Sequence, residues 1–158
     1  MRVSADQLLV RALCSGSAAG LASASAASTG AVRAGHGASA ALNAVTHCLW
    51  RDAQRQQTFS IKYTALGAGI HMGSAVFWGV LFEALCPRRA GPVGIVAAAG
   101  ASALVAYVVD YHVVPKRVTP GFEVHLPKRS LAMTYVALAA GFAIAALVRM
   151  PRARPTIG

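Results

Sequence analysis

The sequence predicts an all-α integral membrane protein, a four-helix bundle with a short interfacial helix between spans 1 and 2. Three observations carry that expectation. Of 158 residues, 56% are hydrophobic and only 13% charged, and the mean hydropathy is +0.52; a soluble domain of this size needs far more charge on its surface. Four apolar runs, roughly Ala12–Val32, Thr64–Cys86, Pro92–Val114 and Ser130–Val148, match the ~20 residues that cross a ~30 Å hydrocarbon core. Lysines and arginines flank these runs in small groups, as span anchors do. No linker is long enough to divide the chain, so a single transmembrane domain is expected.

The first run places 21 uncharged residues between Arg11 and Arg33, nearly all of them Ala, Ser or Gly. Gly16 and Gly20 form a GxxxG pair whose face continues through Ser23, Ala27 and Gly30. Small residues let helix backbones approach closely in lipid, where packing drives association. This span is therefore expected in the bundle interior or at a subunit contact. The stretch Ala22–Ala26 has the composition of a signal cleavage site, but Arg11, Ser15 and Ser17 interrupt the apolar core that a signal needs. A retained span is expected.

Residues 38–50 read as a short helix capped by Ser39, with Asn43 and His47 one turn apart on the same side. The helix is too short to cross a bilayer. It is expected to lie in the interface or dip partway in, with Trp50 at head-group depth. The second span carries Gly67, Gly69 and Gly73 early and Phe77, Trp78 and Phe82 later, and Pro87–Gly91 turns tightly into the third span. Between spans three and four, Pro-Lys-Arg occurs at Pro115 and again at Pro127, and Pro120-Gly121 signals a type II turn. An ordered hairpin is expected there. Residues 149–158 form a basic, proline-containing tail expected to be disordered.

In a soluble protein the net charge of +10 points to nucleic acid. Here the cations stand where spans meet head groups. The partners implied are the lipid bilayer and its anionic head groups, with no nucleic acid. Eight Lys or Arg fall on one face and seven on the other, so charge bias hardly sets the orientation. The seven sit in very short segments, which leans toward both termini being cytoplasmic. Three cysteines make no disulfide framework, although Cys14 and Cys86 map to one interface.

Alternating span direction puts His36, His47, His71, His112 and His125 on one face or its adjoining half-bilayer, with Asp52, Asp110 and Glu123. Ionisable groups inside a bilayer cost ~2.5–3.5 kcal/mol each on insertion scales, so those present have partners or a purpose. By helical rise His71 lies about 6 Å from the bilayer centre and Asp110 about 10 Å, in the same leaflet. Thr64 and Ser74 share the helical face of His71, with Gly67 and Trp78.

Three functional readings suit these residues. The first binds or conducts a small ligand or proton through the one-leaflet cluster, with His71, Asp110, Ser74 and Thr64 as its groups. The second is a metal- or haem-binding membrane subunit with His47, His71 and His112 as nitrogen ligands. No HExxH or CxxC spacing supports it, so the default is no cofactor. The third is an interfacial lipid-modifying enzyme using His47, Asp52 or His125, with the basic loop as a phosphate or head-group clamp and Asn43, His47, Lys116, Arg117 and Glu123 as the interfacial candidates. It lacks a nucleophile–base motif, which favours a non-enzymatic component. The plainest reading makes His71 and Asp110 a polar contact that fixes helix packing.

The strings NAVTHCLW at Asn43–Trp50, HMGSAVFW at His71–Trp78 with Glu83, and DYHVVPKRVTPGFE at Asp110–Glu123 resemble a group of small four-span bacterial inner-membrane proteins. The resemblance covers about residues 40–148, with PKRVTPG as its most distinctive part. It implies a multi-pass bacterial inner-membrane protein and brings no activity or site. The small-residue helices also imply a homo-oligomer or a place in a larger membrane complex.

Overall fold

Ser4 opens the first helix, its Oγ accepting from the Gln7 N–H at 3.3 Å in a computed structural model that describes residues 4–86 and 90–150. The expected Pro87–Gly91 turn falls mostly outside those residues, as does the tail beyond Met150. Helix α1 runs Ala5–Arg33, with Asp6 in its first turn and Arg33 in its last, both matched to the helix dipole. It starts well before Ala12, because helical hydrogen bonding continues beyond the apolar boundary. It ends in a Schellman motif. Gly35 takes the left-handed position at φ +86°, the His36 N–H donates to the Ala31 carbonyl at 2.9 Å, and the Gly35 N–H donates to that of Val32 at 3.0 Å.

The expected helix over 38–50 is shorter and more deeply set. α2 spans Ala40–Val45 and tightens into a 3₁₀ turn at Thr46–Cys48, and Ser39 makes no capping hydrogen bond. Ala40, Ala41, Asn43, Ala44 and Val45 are all buried, so this helix dips into the end of the bundle. α3 (Leu66–Leu85) follows a π-helical turn at Ile61–Ala65 whose entry is capped by Ser60 Oγ, which accepts from the Tyr63 N–H at 3.1 Å. α4 (Pro92–Val108) starts on a proline at its first position and runs into a second π-helical turn, Val109–Val113. α5 is Lys128–Val148. No strand occurs among the described residues.

Four stretches are long and apolar enough to cross a membrane: Ala5–Arg33, Ile61–Leu85, Pro92–Val113 and Lys128–Val148. This is a small multi-pass membrane protein. α1 packs antiparallel against both α3 and α5, while α4 packs chiefly on α5. The expected small-residue face does this work, since Gly16, Gly20, Ser23, Ala27 and Gly30 are all buried. A Cβ at Gly16 would lie 2.5 Å from Val76 Cα, and one at Gly141 would strike the Ala19 backbone. The few large residues of α1, including Leu9, Leu13 and Leu21, point outward.

Two apolar clusters result. One holds Trp78, Phe82, Ile95, Leu138 and Phe142, with the Phe82 and Phe142 rings stacked at 5.1 Å. The other, at the histidine end, holds Ala27, Val45, Phe122, Leu126 and Leu131. The hairpin between α4 and α5 is ordered as expected. Gly121, at φ +77°, occupies the left-handed corner of the Pro120-Gly121 turn, and Phe122 beside it is driven into the bundle at 2% exposure.

Candidate functional site

A cavity of about 50 Å³ lies between the two clusters, lined by Ser23, Val45, His71, Ser74, Ala75, Trp78, Asp110, Pro120, Phe122, Thr134, Tyr135 and Leu138. α1, α2, α3, α5, the π-helical turn after α4 and the hairpin each contribute a wall. A single water needs on the order of 10–15 Å³, so the space holds a few waters or a ligand of a few heavy atoms. It is far below the ~300–1,000 Å³ of sites for drug-sized ligands and does not fit a haem.

His71 is presented by α3 to α1. Its Nε2 lies 3.0 Å from Ser23 Oγ and 3.1 Å from the Gly20 carbonyl. A carbonyl only accepts, so Nε2 carries the proton, and in the neutral ring Nδ1 keeps a lone pair. Ser23 spends its own proton on the Ala19 carbonyl at 2.8 Å, which frees its oxygen to receive His71. The Phe122 ring stands edge-on to the imidazole at 5.6 Å. Across the cavity, Asp110 sits in the π-helical turn that ends α4, and its Oδ2 accepts from the Tyr135 hydroxyl of α5 at 2.7 Å. Tyr135 is further braced by Tyr107 and Tyr111, with ring centroids at 5.3 Å and 6.1 Å. No lysine or arginine lines the cavity.

Three of the four expected pathway residues therefore share one cavity: His71, Asp110 and Ser74. His71 and Asp110 face it from different helices, each held by a partner of its own. Thr64 stands apart. The π-helical turn, with the Ala65 N–H reaching the Ser60 carbonyl at 3.4 Å, shifts Thr64 off the α3 face. Its hydroxyl donates to Asn43 Oδ1 at 2.6 Å and accepts from the Ser60 N–H at 3.0 Å.

The expected interfacial residues turn out to organise the end of the bundle. Asn43 is fully buried, and its Nδ2 donates to the carbonyls of Gln56 at 3.0 Å and Thr58 at 2.9 Å. His47 Nδ1 meets the Ala44 carbonyl at 2.8 Å and Nε2 the Lys116 carbonyl at 3.0 Å, tying α2 to the hairpin. Arg117 Nε donates to the Cys48 carbonyl at 3.4 Å, and Glu123 accepts from Thr119 at 3.4 Å. With both ring nitrogens engaged, His47 has none to offer a metal. His112 is exposed and stands edge-on to Tyr107 at 5.6 Å, so His47, His71 and His112 do not converge. No group of three His, Cys, Asp or Glu side chains placed to hold a metal occurs among the described residues. Cys14, Cys48 and Cys86 are free thiols.

Nearby, the Tyr63 hydroxyl donates to Asp52 at 2.6 Å and holds that carboxyl below its ordinary range, while Lys62 Nζ lies 4.6 Å over the Trp50 ring. At the opposite end Glu83 pairs with Arg149, which also donates to the Arg11 carbonyl at 3.0 Å.

The residues that the sequence left unmarked as site members are Ser23, Thr134 and Tyr135. Ser23 was legible as part of the small-residue face, and its hydroxyl there was the available signal. Comparison with family models, curated proteins and solved structures finds no match to this chain.

Proposed function

We propose that this protein holds a proton or a small protonated amine of ammonium size in the His71/Asp110 cavity, within one leaflet of the membrane. One observation carries the reading: Asp110 borders a mostly apolar cavity, accepts one side-chain hydrogen bond there, from Tyr135, and has no lysine or arginine in the cavity walls to neutralise it. An ionised carboxylate at that depth needs a compensating positive charge. The His71 Nδ1 lone pair, the Ser74 and Thr134 oxygens, and the Trp78 and Phe122 rings supply acceptors and π faces to a cation. Thr64 bonds to Asn43 and has no part in binding.

Holding is favoured over conduction. Trp78, Leu138 and the stacked Phe82–Phe142 pair fill the bundle beyond the cavity, so a single chain offers no continuous polar route. The resemblance of its strings to small bacterial inner-membrane proteins supports placing the protein in such a membrane. Both termini are cytoplasmic, on the face where the basic residues crowd into short segments.

The test uses Trp78 as reporter, with the other of the two tryptophans changed by Trp50→Phe. In nanodiscs, ammonium chloride should shift Trp78 emission saturably. Tetramethylammonium, too bulky for the cavity, should leave it unchanged, and Asp110→Asn should abolish the ammonium response. An emission indifferent to ammonium, or an unaltered response in Asp110→Asn, would overturn the proposal.

A further inference from the structure

A second recess lies outside the bundle, on the lipid side of the α1–α5 contact. It encloses about 680 Å³ and runs from Arg33 and Arg129 at the basic end down to Ala26, Ala137 and Ala140. Gly30 in its wall lets the two helices approach, since a Cβ there would lie 2.9 Å from Ser130 Cβ. The two hydroxyls that α1 contributes are spent within that helix: Ser25 Oγ donates to the Leu21 carbonyl and Thr29 Oγ1 to the Ser25 carbonyl, each at 2.8 Å. The groove is therefore polar and cationic at the end that holds Arg33, Arg129 and Ser130, and mainly apolar along Met133, Val136, Ala137 and Ala140.

We infer that this groove seats one anionic phospholipid, its phosphate between Arg33 and Arg129 and an acyl chain along the mainly apolar stretch. Length supports this occupant. From Arg129 to Ala140 the rise along α5 is about 16 Å, the depth of one leaflet in a ~30 Å core. Charge supports it as well. Asp52 is bonded to Tyr63, Asp110 to Tyr135 and Glu123 to Thr119, and the only ion pair among the described residues is Glu83–Arg149 at the far end. The two guanidiniums are thus free for a planar, bidentate match to phosphate oxygens. A second copy of the chain suits the groove poorly, because copies inserted the same way present the same basic end at that depth.

Full-length protein purified in mild detergent from nanodiscs of mixed phosphatidylglycerol and phosphatidylcholine tests this by native mass spectrometry. The expected result is one phosphatidylglycerol retained per chain, in preference to phosphatidylcholine. Arg33→Gln with Arg129→Gln should lower retention at least about tenfold, and Arg51→Gln with Arg55→Gln on the same face should not. Ala137→Phe keeps both arginines but fills the groove, and it should also lose the lipid while melting like the parent. Retention undiminished in Arg33→Gln/Arg129→Gln would overturn the inference, as would displacement of the lipid by inorganic phosphate alone or a dimer in its place.

Discussion

His125 is 4% exposed and neither ring nitrogen has a hydrogen-bond partner of good geometry; the His36 ring stands edge-on to it at 4.8 Å, and the Gln54 backbone lies nearby and opposes the downward shift. Burial first, and then the charge of His36, push the His125 imidazole below its ordinary value. A base depressed in the folded state takes up its proton more readily when unfolded, so the unfolded chain binds more protons as pH falls. Stability is expected to be full above the ordinary histidine value near 6.5 and to decline as pH drops through it toward the lower folded value. His125→Phe keeps an aromatic ring against His36 and removes two orphaned nitrogens. It should raise stability by about 1 kcal/mol at neutral pH and flatten the acid side of the profile, read as thermal melting in detergent across pH. A parent and variant losing stability in parallel on acidification would count against this account. Asn43 shows the contrary case: equally buried, it is retained because both ends of its amide are bonded. Such differences are invisible in sequence, since a side chain's depth fixes what it needs but not who supplies it.

At the scale of elements, spacing and propensity reveal the helices, and close approach decides how they meet. Gly16 and Gly73 look alike in sequence, yet a Cβ on Gly16 would press into the α3 backbone while one on Gly73 would meet nothing within 4 Å. Gly16→Leu is expected to destabilise by about 1–3 kcal/mol through forced separation of α1 and α3. Gly73→Ala should be neutral or stabilising by up to about 1 kcal/mol through helix propensity. Thermal melts of the two variants in one detergent check this, and equal losses would refute the packing argument. The four spans, the interior face of α1 and the Pro120-Gly121 turn were legible because each rests on local chemistry. The depth of α2 was not, and neither were the π-helical turns at Ile61–Ala65 and Val109–Val113. A wide turn rotates everything before or after it relative to the helix face, which is why Thr64 left the expected stripe. Pairing partners are lost for the same reason. Ser23 and Tyr135 reach His71 and Asp110 only once the rotation of each helix is set by its neighbours.

Across the whole molecule, polar and apolar layers stack along the membrane normal. Pro120 and Phe122 bring the hairpin over the cavity, His47 and Arg117 pin that hairpin to α2, and the larger apolar cluster closes the opposite side. An asymmetric stack of this kind admits water from one face. Thr134 is the position to probe, since it lines the cavity and is only 2% exposed. With Cys14, Cys48 and Cys86 changed to alanine, Thr134→Cys should bind silver ion, a thiol reagent small enough to enter the cavity, from one side of sealed vesicles only. That side should be the one from which a cysteine at Lys116 reacts, and ammonium should slow the reaction if the cavity holds a cation. Because lysines and arginines divide eight to seven between the faces, the cytoplasmic placement of both termini rests on how tightly the seven are crowded, and the reactive side in oriented vesicles tests it directly. Reaction from both sides would mean a polar route past Phe82 and Phe142, turning a holding site into a conducting one. Reaction from neither would mean a cavity sealed from water, leaving Asp110 as a packing contact between α4 and α5.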